Sequence, residues 1–80
     1  KALVGIGAAT KEAVSGLINL LKEDGPLVRI DAVNALGEIG PEAKEAVPTL
    51  VELLSDGNID LRESAEKALL QIDPENPVLR

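Results

Sequence analysis

The chain matches itself at a fixed offset of 33 residues. Ala13-Val14 returns as Ala46-Val47, and the register continues without a gap through Leu17/Leu50, Leu20/Leu53, Leu21/Leu54, Arg29/Arg62, Ala32/Ala65, Ala35/Ala68, Leu36/Leu69, Ile39/Ile72 and Pro41/Pro74. The first residues obey the same offset, since Ala2-Leu3, Ile6-Gly7 and Lys11-Glu12 precede Ala35-Leu36, Ile39-Gly40 and Lys44-Glu45. A unit of this length holds two helices and cannot bury its own apolar face, so neighbouring units must stack and cover one another. The expectation is an all-α array of antiparallel helix pairs: residues 1–9 as the end of a truncated repeat, 10–42 as a full repeat, 43–73 as a C-terminal capping repeat and 74–80 as an extended tail.

The local signals give the helices. Ala2 to Ile6 read as the last turns of one helix stopping at Gly7, with Thr10 capping the next, from Lys11 to Leu21. That helix carries Ala13, Val14, Leu17, Leu20 and Leu21 as its apolar stripe and turns Ser15, Asn19 and Lys22 to water. Glu23-Asp24-Gly25-Pro26 ends it. Gly25 then caps, and Pro26 opens, an inner helix from Leu27 to Ile39 that stops at Gly40-Pro41. The second pair runs from Glu45 to Leu54 and from Ile59 to Ile72, with Asn58 as cap of the latter. Its outer helix must begin within a turn of Pro48, because a proline deep inside a helix clashes with the carbonyl four residues back.

Composition removes whole classes of chemistry. The chain has no Cys, His, Met or aromatic residue, so it lacks thiolate ligands, the usual proton shuttle and the rings on which bases stack. A net charge of -6 opposes capture of nucleic acid and of anionic membranes, which is driven by clustered Lys and Arg; basic protein partners fit better. No apolar run approaches the roughly 20 residues that span a bilayer. Gly5-Ile6-Gly7-Ala8-Ala9-Thr10 comes near a dinucleotide-binding fingerprint but lacks the strand that must precede it. The acidic turns, Glu23-Asp24 and Asp56-Gly57-Asn58-Ile59-Asp60, lack the spacing of a calcium loop. The expectation is no catalytic residue, no cofactor and no metal.

Leu20-Leu21, Leu27-Val28-Arg29, Ala32, Ala35-Leu36-Gly37-Glu38-Ile39-Gly40-Pro41-Glu42-Ala43 and Ala46-Val47-Pro48-Thr49-Leu50 closely resemble the HEAT repeat, in the short form often called HEAT-like or phycobilin-lyase-type. The resemblance covers residues 1 to about 73. It implies two antiparallel helices per repeat, a curved α-solenoid, and a structural role for Arg29 and Arg62, each pairing with an acidic group or helix end in the neighbouring turn; Asp24 and Asp56 are the candidates. Two enzyme types of the family leave marks that this chain lacks, whereas the bilin-lyase type shares this short repeat and stays open. The deoxyhypusine-hydroxylating type uses paired His-Glu motifs to hold iron, and the chain has no His; the alkyl-base glycosylase type uses aromatic and basic residues along its concave groove, which the resemblance does not find here.

Ala32, Ala35, Ala65 and Ala68 allow the close helix approach that stacking needs. Where the first inner helix has Leu27, Ile30 and Val33, the second has Asp60, Glu63 and Glu66, a polar face of the kind that closes an array. The exposed ridge of the inner helices carries Lys1, Asn34 and Lys67, then Gly5, Glu38 and Gln71, with Asp31 and Ser64 beside it. Its variation between repeats fits a recognition surface and fits neutral solvated positions equally. The functional expectation is a non-enzymatic protein-interaction or scaffolding module in a larger assembly, with Asn34, Glu38, Lys67 and Gln71 as the binding ridge. The alternatives are an accessory bilin-lyase subunit and a purely architectural element.

Overall fold

A computed structural model describes residues 2–23 and 25–79, with the side chains of residues 2–9 left undescribed. Among the described residues there is no strand. Four α-helices occur: α1 (Ala2–Leu20), α2 (Pro26–Ile39), α3 (Val47–Leu53) and α4 (Ile59–Ile72), with 3-10 stretches at Gly40–Ala46 and Pro77–Leu79.

The inner helices begin and end where the sequence signals place them. Gly25 is the N-cap of α2 and Pro26 its first residue, a position where the missing N–H leaves no intrahelical bond unmade. Asn58 caps α4 by accepting the Leu61 N–H at 3.1 Å. Gly40 ends α2 at φ 85°, a conformation that costs a residue with a Cβ. From there the chain passes through a 3-10 stretch bent at Ala43, and the regular helix starts at Val47, one residue before Pro48.

Two expectations about the ends are corrected. Helix α1 runs without interruption from Ala2 to Leu20, where the sequence pointed to a stop at Gly7 and a cap at Thr10. The later copy breaks at Gly40 because Pro41 follows. After Gly7 stand Ala8 and Ala9, good helix formers that retain their N–H groups. The segment after α4 is not extended. Asp73 and Asn76 fold it, with Asn76 N donating to Asp73 O at 3.0 Å and Asn76 Oδ1 accepting the Val78 N–H at 2.9 Å. This turns Pro77–Leu79 into a 3-10 stretch that lays Leu79 against the core.

That core is built of leucine, valine, isoleucine and alanine. Leu36, Leu50, Leu61, Leu69, Val14 and Val33 are its largest fully buried side chains, and Ala32, Ala43, Ala46, Ala65 and Ala68 are buried with them. No described polar side chain is buried among them. In α1 the buried stripe is Val14 and Leu21 with Leu17 and Ile18 partly covered. Ala13 and Leu20, expected in that stripe, lie on its exposed edge. Helix α2 packs on α1 and on α4, and α3 packs on α4, giving a slab of 42 × 29 × 15 Å.

The contrast between the inner helices holds in three dimensions. Val33 is fully buried and Ile30 partly so, whereas their counterparts Glu66 and Glu63, with Asp60, are exposed. Leu27 departs from its neighbours: at 76% exposure nothing among the described residues covers it.

Candidate interaction ridge

Asn34 and Glu38 stand one turn apart on α2, and Lys67 and Gln71 stand one turn apart on α4. All four are exposed. Helices α2 and α4 pack on each other, and each carries buried small residues. Ala32 and Gly37 on α2 and Ala65 and Ala68 on α4 are all buried; Ala35 is only partly so. Of the flanking residues Asp31 is exposed and Ser64 half-buried. Lys1 lies outside the described residues, as does the side-chain environment at Gly5.

The two helices approach closely at Gly37. A Cβ built on this residue would lie 3.1 Å from the Ala68 Cα and 3.3 Å from the Ala68 Cβ, and would run into Gln71 Oε1. Close approach is thus not confined to the four alanines; this glycine provides it as well. A signal was present: glycine within a helix costs about 1 kcal/mol relative to alanine, so its place in the last turn of α2, three residues before the terminal Gly40, calls for a packing reason.

At one end of the slab the two repeat arginines converge on a single residue. Arg29 Nη2 reaches from α2 to Asp56 Oδ1 at 3.0 Å, and Arg62 Nη1 donates to the Asp56 main-chain oxygen at 2.9 Å. Asp56 Oδ2 accepts the Asn58 N–H at 2.9 Å. That backbone donor, joined by the Arg29 guanidinium, holds the Asp56 carboxyl below its ordinary range despite the opposing effect of partial desolvation. Both arginines thus pair in the neighbouring turn, Arg29 with a carboxylate and Arg62 with a carbonyl just beyond the end of α3. The other acidic candidate, Asp24, lies outside the described residues. Arg29 Nε is buried without a hydrogen-bond partner among the described residues.

Among the described residues no group of three or more His, Cys, Asp or Glu side chains is placed to hold a metal. The Gly5 to Thr10 segment lies inside α1, so the strand-turn-helix context of a dinucleotide fingerprint is not formed there. No described helix is long and apolar enough to cross a membrane.

A family model described as HEAT repeats matches residues 1–76. No curated protein and no solved structure matches the chain.

Proposed function

Because the chain belongs to the HEAT repeat family, whose members generally mediate protein–protein interaction, we propose that it is a non-enzymatic interaction or scaffolding module. Its contact surface is the ridge of Asn34, Glu38, Lys67 and Gln71. In this reading the helix pairs form part of a solenoid within a larger assembly, and the exposed acidic face of α4 closes the stack.

One observation carries the proposal. Four hydrogen-bonding side chains stand exposed on two helices that pack on each other, Asn34 and Glu38 one turn apart on α2, Lys67 and Gln71 one turn apart on α4. The ridge mixes donors and acceptors and offers no aromatic or arginine anchor, so binding rests on several modest polar contacts and not on one hot spot. The net charge of -6, with Arg29 and Arg62 engaged at Asp56, favours a basic partner.

The test is a pull-down from lysate of the source organism, with the native chain and a variant carrying Asn34→Arg, Glu38→Lys, Lys67→Glu and Gln71→Arg. The expected result is a protein retained by the native chain and lost from the variant, while circular dichroism shows both equally helical. Equal retention by the two chains would overturn the ridge as the contact surface.

A further inference from the structure

Of the described aspartates and asparagines, Asp56 alone is followed by glycine. We propose that Asp56-Gly57 is a site of spontaneous aspartate isomerisation that the Arg29 contact keeps closed: losing the contact opens the site, and the modification then prevents the contact from re-forming. The inference is independent of the ridge.

In this reaction the Gly57 amide nitrogen attacks Asp56 Cγ. The new C–N bond closes a five-membered succinimide while the carboxyl hydroxyl and the amide hydrogen leave as water. Water then adds to either ring carbonyl. Opening at the Asp56 main-chain carbonyl routes the backbone through Cβ and Cγ and leaves isoaspartate, whereas opening at Cγ restores aspartate. The sum is an isomerisation that returns the water it released and needs no other reactant. Glycine favours ring closure because no side chain shields its nitrogen. Gly57 is exposed, nothing lies within 4 Å of a Cβ built on it, and its N–H has no hydrogen-bond partner among the described residues. The nucleophile is free, and the restraint falls on the electrophile. Asp56 Oδ1 accepts from Arg29 Nη2 at 3.0 Å, Oδ2 accepts the Asn58 N–H at 2.9 Å, and the main-chain oxygen accepts from Arg62 Nη1 at 2.9 Å. Ring closure removes one of the two carboxylate oxygens and neutralises the group, so it gives up what both side-chain contacts supply. It also requires a protonated carboxyl, and the Asn58 N–H and the Arg29 guanidinium hold this one ionised. Isoaspartate would lengthen the main chain by one methylene and move the carboxylate to Cα, out of the geometry that meets Arg29.

The test incubates the 80-residue chain at neutral pH, folded in buffer or unfolded in guanidinium chloride, and quantifies isoaspartate at position 56 by peptide mapping. The folded chain should accumulate it severalfold more slowly than the unfolded one, and Arg29→Ala should raise the folded rate severalfold. Leu50→Ala serves as the comparator, because it destabilises through the core and leaves the contacts of Asp56 in place. At an equal unfolded fraction Arg29→Ala should still react faster. Gly57→Ala should slow the reaction in the unfolded chain, which identifies the attacking nitrogen. If Arg29→Ala does not fold, Arg29→Lys takes its place with the same expectation, since it keeps the charge and loses the guanidinium fork. Equal rates in the folded and unfolded chains would overturn the proposal. So would an arginine variant that reacts no faster than Leu50→Ala at equal unfolded fraction, because protection would then belong to the fold as a whole and not to the contact.

Discussion

The Arg29 guanidinium meets the Asp56 carboxylate at 3.0 Å, joining α2 to the turn that precedes α4 across 27 residues of sequence. Arg62 approaches the same residue from the other side and takes its carbonyl. A turn with no apolar side chain to bury is thereby tied to both inner helices.

The protonation of Asp56 makes this tie sensitive to acid. Its folded pKa lies below the ordinary value of 3.8, so the folded state holds its proton less readily than the unfolded chain. The stabilisation is fully present above the ordinary value and is lost as pH falls through the folded one. Urea midpoints measured from pH 7 down to pH 3 should show the native chain more stable than Asp56→Asn at neutral pH. The gap should narrow as the pH falls below the ordinary value; a gap independent of pH would refute the assignment.

Asn58 stabilises α4 through its side chain, while its N–H serves Asp56. Asn58→Ala removes only the former. It should cost about 1 kcal/mol in urea unfolding, and Asn58→Asp or Asn58→Ser should recover most of that.

Three glycines should respond differently to alanine. Gly40→Ala forces a Cβ onto φ 85°, ψ -148° and should destabilise by roughly 1–3 kcal/mol. At Gly16, within α1 and with nothing inside 4 Å of a built Cβ, alanine should instead stabilise by about 1 kcal/mol. Gly37→Ala should destabilise despite its better helix propensity, because Ala68 and Gln71 occupy the space. Thermal melts of the three variants give the signs directly.

Leu69 and Leu70 are adjacent in sequence and opposite in environment, 0% and 51% exposed. Leu69→Ala should cost about 2–5 kcal/mol, and Leu70→Ala within about 0.5 kcal/mol. Denaturant unfolding of the pair tests which face of α4 the core holds.

How far the sequence could be read is clearest in α1. The 3.6-residue period gave Val14, Leu17 and Leu21 as the buried stripe, and these do face the core. The period alone could not separate Leu20 and Ala13 from them, because a stripe has an edge and only the packed neighbour marks where it falls. The same offset that paired Gly7 with Gly40 suggested a helix end at both. The break needs the proline that follows Gly40, and Ala8 stands in its place.

Termini and repeat register are local matters, so the sequence by itself determined the bounds of α2 and α4, the caps at Gly25 and Asn58 and the stop at Gly40. Each depends on the φ preference of one residue or the reach of one short side chain. The tertiary structure decided what depends on two distant segments meeting. That both arginines choose Asp56, that Leu79 folds back onto the core, and that Gly37 lies close to Ala68 all follow from how α2 and α4 dock. Docking distance is set by the sum of many contacts, and no local pattern carries it.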